Sequence, residues 1–326
     1  MAMTVTKATV RHYSACNFLV VVLICLSVTV RAEKTVQIFI IAGGGNAQGH
    51  ASIPELHDLC TADDPSQANS TNPYRHLVDS KGMWVTRDDV YVTYEKSRND
   101  GLTHAPLGVK GFGNTPNSFG PDVEFGHVMG DSLKELDNKR DTDNNKIVIV
   151  KAAWDKRTLA KDFRPPSAEG LTGFQYLRIL SSVKQTISNM GEILGDKSFD
   201  RADVEIVGLV WWHGYDDLRK ETGDEYEENL QHFLRDIREE LELPYLPILI
   251  AELGGQGHGD NVTKAELDFR AMQLRITQLP EFNRTTRLLP TAKYHVQDDS
   301  PTTDDYTHYY GRAHTSTFIS AYCLLL

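Results

Sequence analysis

The sequence predicts an α/β fold: a mainly parallel β-sheet covered by helices on both faces, in one domain. Two features carry that prediction. Four apolar, β-branched runs are continuous rather than alternating, as strands buried on both faces require. Between them lie stretches with helical periodicity, and strand–helix–strand repetition produces a parallel sheet. In order, the strand runs are residues 35–42 (TVQIFIIA), 146–152 (KIVIVKA), 204–212 (VEIVGLVWW) and 246–253 (LPILIAEL). Gly120-Pro121-Asp122 starts a helix, with Pro at the first helical position and an acid in the first turn. Tyr176, Leu180, Val183, Ile187, Met190 and Leu194 recur at steps of four and three, as do Tyr226, Leu230, Phe233, Ile237 and Leu241. Residues 264–279 and 311–325 predict two further helices. Residues 60–120, rich in Asp, Asn, Gly and Pro with little periodicity, read as a long surface excursion.

Composition narrows the function. With 40% hydrophobic and 24% charged residues, a chain of 326 residues can bury a sizeable core. Its formal charge of -11, with no basic stripe, argues against nucleic acid and anionic membrane surfaces as main partners.

The N-terminus has the pattern of a secretory signal peptide over residues 1–32. Lys7 and Arg11 precede an apolar run from Phe18 to Val30, and Val30 and Ala32 supply small side chains at the -3 and -1 positions. The run is shorter than the ~20 residues that cross a bilayer; an uncleaved anchor is the alternative reading. Cleavage leaves residues 33–326 as a single secreted domain with no stable membrane insertion. It also removes Cys16 and Cys25, leaving Cys60 and Cys323 as a candidate disulfide in an oxidising compartment. Asn69, Asn261 and Asn283 each begin an acceptor sequon for N-glycosylation. Cys323-Leu324-Leu325-Leu326 formally matches a prenylation box, but a secreted chain escapes that cytosolic modification, so an apolar helix end is expected.

In open parallel sheets ligands sit at the carboxyl ends of the strands, so the loops after the strands are where chemistry is sought. The first is Gly43-Gly44-Gly45-Asn46-Ala47-Gln48-Gly49-His50. As a dinucleotide fingerprint it places Gln48 at the third glycine; as a phosphate loop it lacks the Lys and the Ser/Thr, which His50 and Ala51 replace. A tight glycine turn without chemistry is the third reading. His213, flanked by Gly214 after Trp211-Trp212, is placed to face a cleft. Asp305 stands three residues before His308, a spacing that lets a carboxylate fix the imidazole tautomer and leave the other nitrogen as base. Metal binding competes with that reading, but the histidines lack helix-spaced pairs. Asp141-Thr142-Asp143 resembles the start of a calcium loop, yet Lys146 stands in place of the glycine and Ala152 in place of the closing glutamate.

The order of these pieces resembles the sialate O-acetylesterase-like (SASA) family of the SGNH hydrolase superfamily. The resemblance runs from about Val36 to Ala321 and is carried by the glycine-rich turn with Asn46, Gly120-Pro121-Asp122-Val123-Glu124-Phe125-Gly126, the Trp-x-x-Gly-x-x-Asp of Trp211, Gly214 and Asp217, and Asp305-x-x-His308. Residues 153–154, 162–167, 225–230, 251–254 and 290–292 strengthen it. It implies a three-layer α/β/α sandwich, an acetylated carbohydrate or glycan as partner, and neither cofactor nor metal. It places the family's nucleophilic serine at Gly45, its preceding Gln at Gly44, its Asp and His at Asp305 and His308, and an oxyanion-holding Gln at His213. The oxyanion candidates are then Gly45 and His213, and the substrate-binding candidates Gly44, Asn46, Trp212 and Tyr215. Where close relatives carry small residues after the strand-end Trp, this chain has Asp155-Lys156. Glycine has no side chain to attack an ester. Two readings follow: a secreted esterase with weak or lost hydrolysis, or a non-catalytic glycan-binding descendant. Three successive glycines also suggest a turn with positive φ, in which serine at position 45 would be strained.

Cleavage after Ala32 is checked by N-terminal sequencing of secreted protein, which should begin at Glu33; a full-length, membrane-retained product refutes it.

Overall fold

The computed structural model describes residues 35–61, 72, 74–140, 145–199, 204–255 and 262–292. Its strands are β1 (Val36–Gly43), β2 (Ala51–Ser52), β3 (Val90–Tyr94), β4 (Thr103–Pro106), β5 (Ser118–Phe119), β6 (Lys146–Ala153), β7 (Val204–Trp212), β8 (Ile248–Ala251) and β9 (Thr286–Leu289). The helices are α1 (Gly45–Gln48), α2 (Ile53–Thr61), α3 (Asp122–Arg140), α4 (Phe174–Ser188), α5 (Met190–Ile193), α6 (Tyr215–Arg219), α7 (Gly223–Glu240) and α8 (Lys264–Gln278). Seven strands form one sheet in the order β4-β3-β6-β1-β7-β8-β9. All its neighbours are parallel except the edge pair β3 and β4. Strands β2 and β5 make a separate antiparallel ladder.

The period of two along β1 sends alternate side chains to opposite faces. Ile38, Ile40 and Ala42 join a core with Tyr176 and Ile179 of α4, Leu230 and Phe233 of α7, and Phe269 of α8. Phe39 and Ile41 pack on the other face with Phe125, Met129 and Leu133 of α3. Helices on both sides make the three-layer α/β/α fold. Among the described residues no helix is long and apolar enough to cross a membrane.

The four strand runs read from the sequence are all present, and β7 keeps the same bounds. The excursion over residues 60–120 is corrected. Within it Val90–Tyr94 (VYVTY) forms β3, an interior strand lying between β4 and β6. Its flanks are polar because its neighbours in sequence are turns, while its own residues bury against α3. The helical periodicity through Leu194 breaks at Asn189, giving α4 and the one-turn α5. Residues 264–279 form α8, which opens with a reciprocal cap: Glu266 N–H donates to Thr263 Oγ1 and Thr263 N–H to Glu266 Oε2. The helix expected over residues 311–325, the signal peptide, the sequons at Asn69 and Asn261, and Asp141-Thr142-Asp143 lie outside the described residues. Asn283 is exposed. Cys60 is buried, which pushes its pKa up to about 12; Cys323, its expected partner, lies outside the described residues.

A lysine in the centre of β6 is the least expected core residue. Lys151 has no solvent exposure, and its ammonium donates to Asp122 Oδ1 at 2.5 Å and to Phe112 O at 2.6 Å. Burial depresses its pKa, and Asp122 opposes that shift. The pair fastens the first turn of α3 and the loop before it onto the sheet.

His127 on α3 is also buried, its ring centroid 5.2 Å from that of His76. Burial, with smaller contributions from His76 and Arg87, lowers its pKa from 6.5 to about 3, against the pull of Asp131 and Asp89. The unfolded chain therefore takes up this proton first, and the stability present above pH 6.5 is lost as pH falls toward 3. At pH 5, about 1.5 units below the unfolded pKa, the loss is about 2 kcal/mol. Melting curves at pH 7 and pH 5 should show the wild type losing roughly 4–8 °C more than His127→Leu; equal losses would exclude His127 as the acid-sensitive group.

Candidate functional site

Strands β1, β6 and β7 end flush, with Gly43 level with both Ala153 and Trp212. The connection from β6 to β7 passes over β1, which makes the carboxyl end of β1 a topological switch point. A cleft holding about 450 Å³ of open space lies there. Its walls are Gly44, Gly45 and Asn46 after β1, Asp155 after β6, residues 212–216 at and after the end of β7, and Leu253 and Gly254 after β8.

The successive glycines after β1 have different physical roles. Gly43 has φ +141°, and a Cβ there would stand 2.1 Å from Trp212 O. Only glycine permits β1 to lie so close to the end of β7. Gly44 N–H then donates to Trp212 O at 3.0 Å, and Trp154 N–H to Gly43 O at 3.0 Å. A Cβ on Gly44 would meet its nearest atom, His213 Cδ2, at an ordinary 3.5 Å. Gly45 is the first residue of α1 and has no positive φ. The strain expected for serine at position 45 is therefore absent: the constraint sits at Gly43.

Each loop around the cleft is held from behind by a buried polar side chain. Gln48 Oε1 accepts from Asp155 N–H at 3.0 Å, while its amide nitrogen donates to the Tyr94 hydroxyl, which donates to Ala153 O. Asp217, with no solvent exposure, accepts from Leu159 N–H at 2.9 Å, Ala160 N–H at 3.1 Å and Thr222 Oγ1 at 3.2 Å. Burial raises its pKa despite these bonds and the proximity of His213. Gln273 on α8 accepts from Leu253 N–H at 2.7 Å and donates to Ala251 O, and Arg270 donates to Leu253 O and Gly254 O.

His213 borders the cleft, but its side chain is only 1% exposed. The ring stacks on Trp211 at 4.9 Å and meets Phe163 edge-on at 5.1 Å. Nε2–H donates to Arg157 O at 2.9 Å, and Nδ1 faces Asp217 Oδ2 at 3.6 Å. To hold an oxyanion it would have to release Arg157. Trp212, expected as a sugar platform, is 3% exposed and packs in the core with Phe39 and Ile41. It also borders the cleft. Tyr215 is half-buried in the cleft wall, with the Arg219 guanidinium 5.7 Å from its ring centroid. Asp305 and His308 lie outside the described residues.

No sequence pattern marks Asp216. It borders the cleft, and its Oδ2 would lie 3.8 Å from a Cβ on Gly44. Burial raises its carboxyl above the ordinary 3.8, with His213 and Lys220 opposing. Residues 35–315 match the family model SASA, a carbohydrate esterase and sialic acid-specific acetylesterase family. The chain belongs to this family. Two solved structures share the fold. A protein of Arabidopsis thaliana superposes with a TM-score of 0.53 at 15% identity, covering 90% of this chain and 98% of its own. NanS does so with 0.50 at 12% identity, covering 89% and 97%. A carbohydrate acetylesterase from Xanthomonas citri gives 0.47 at 14%, covering 89% of this chain and 54% of its own. No curated protein matches the sequence.

In this member of the SASA family, the Trp-x-x-Gly-x-x-Asp motif supplies the clamp at Asp217. Asp217→Ala leaves two buried N–H groups without an acceptor and should cost roughly 2–4 kcal/mol in urea unfolding. Asp217→Asn, which keeps one carbonyl oxygen, should lose less than half as much. Equal losses for the two variants would show that the acceptor oxygens do not hold the loop.

Proposed function

We propose that this protein binds acetylated carbohydrate in the cleft at the end of β1 and hydrolyses its esters slowly or not at all. The observation that carries the reading is Gly45. It borders the cleft at the position where the family pattern has its nucleophilic serine, and it brings no oxygen to attack an acyl carbon. In serine hydrolases loss of the nucleophile costs on the order of 10⁶ in kcat, leaving roughly 10³–10⁴ over water from binding and oxyanion stabilisation. In this reading Asp305 orients His308, and His308 acts on water. The leader expected in residues 1–32 would deliver the cleft to an extracellular glycan.

A non-catalytic, glycan-binding role is the second reading, favoured by Tyr215, a half-buried aromatic ring in the cleft wall. The buried carboxyl of Asp216 favours the first, since a carboxyl with a raised pKa in a cleft is suited to proton transfer.

The helical backbone at Gly45 makes serine admissible there without strain. The test is kcat/KM on one acetylated chromogenic ester for wild type, Gly45→Ser, His308→Ala and the double variant. Wild type should lie close to His308→Ala, and Gly45→Ser should raise the rate by about 10² or more, an increase the double variant loses. A wild type as fast as Gly45→Ser would mean that catalysis does not run through position 45.

A further inference from the structure

Beside the cleft, and sharing Asp155 with it, lies a larger open basin of about 1010 Å³. Its charge is opposite to that of the chain. The protein carries 45 acidic against 34 basic residues, yet the basin is bordered by Lys96, Arg98, Arg157 and Arg178 against Asp155 and Asp162. Two of these cations are engaged. Arg178 lies 4.1 Å over the Trp154 ring and pairs with Glu95 at 3.3 Å, and Arg157 pairs with Asp162 at 3.2 Å. Among the described residues Lys96 and Arg98 have no carboxylate partner. The Arg98 guanidinium stands 5.0 Å from the ring centroid of Phe174, a side chain left 46% exposed. Lys96 is half-buried, so its charge is partly stripped of water and gains from a counter-ion.

The cleft itself has the reverse polarity. Among the described residues its lining contains the carboxylates of Asp155 and Asp216 and no lysine or arginine. An anionic group is repelled there and attracted next door. A guanidinium fork suits a planar carboxylate or a sulfate, and an exposed aromatic face suits the C–H face of a sugar ring. We infer that the basin binds an anionic group, carboxylate or sulfate, on a saccharide unit adjoining a neutral acetylated unit held in the cleft. The inference rests on the carbohydrate reading of that cleft and adds the charge and placement of the neighbouring unit.

Calorimetric titration of the whole protein with three O-acetylated disaccharides tests it. The second unit is glucose, glucuronate or glucose sulfate, and each is titrated in low and high salt. The glucuronate or the sulfate ligand should bind about tenfold or more tightly than the neutral one at low salt, as a charged hydrogen-bonded contact provides. Whichever acidic ligand binds more tightly identifies the group. High salt and Arg98→Glu should each abolish the advantage, and Lys96→Glu should reduce it; Arg98 is exposed, so its replacement leaves the fold intact. Neutral and acidic ligands of equal affinity would overturn the basin and leave the cleft reading standing. An acidic advantage that survives Arg98→Glu and Lys96→Glu would also overturn it. If no ligand binds, the inference falls together with the reading beneath it.

Discussion

A lysine ammonium removed from water must find a full set of acceptors, and much of the backbone beside this protein's cleft is arranged around that requirement. Lys151 projects from the middle of the sheet, meets Asp122 and Phe112 O, and lies 5.6 Å from the centroid of the Tyr94 ring. Tyr94 in turn bonds Ala153 O and Gln48, and Gln48 holds the backbone of Asp155. The ion pair, the start of α3, the glycine turn and the wall of the cleft thus form one connected polar network inside an apolar sheet. Buried pairs of this kind contribute little net stability over a hydrophobic substitute, but breaking one typically costs 3–5 kcal/mol. Such a network fixes positions more than it adds stability.

The same division of labour recurs around the cleft. Apolar contacts build the three layers, and single buried side chains, Asp217, Gln273 and Arg270, then hold the irregular backbone beyond the strand ends. Loops held by charge-assisted or amide bonds to their own backbone keep their shape without a ligand. This is what a cleft requires if binding is not to be charged with the entropy of ordering its walls.

Much of this was legible in the sequence. Continuous apolar runs revealed β1, β6, β7 and β8 because a strand buried on both faces has no alternative composition. Val90–Tyr94 escaped because its five residues sit among turn formers, and β9 because four residues containing Arg287 make too short a signal. The glycine turn, His213, Tyr215 and Asn46 converge on one cleft as their placement after strands implied. The clamps were invisible for a different reason. Gln48 and Asp155 are 107 residues apart, and Asp217 and Leu159 are 58 apart. No local pattern encodes such pairs. His213 borders the cleft, but its neighbours in space, Trp211 and Phe163, turn its ring inward. Lys151 was in plain view within KIVIVKA, where an ionisable residue in a buried strand signals a distant partner.

The separation between Gly43 and Gly45 has an evolutionary consequence. Gly43 is locked by geometry, because any side chain there would collide with the neighbouring strand. Gly45 is not. Some glycine codons become serine codons by a single nucleotide change, and the helical backbone at position 45 accepts either residue. A lineage with this scaffold can therefore gain or lose a hydroxyl at position 45 in one mutational step, in either direction. Folding selection, which acts at Gly43, does not oppose the exchange.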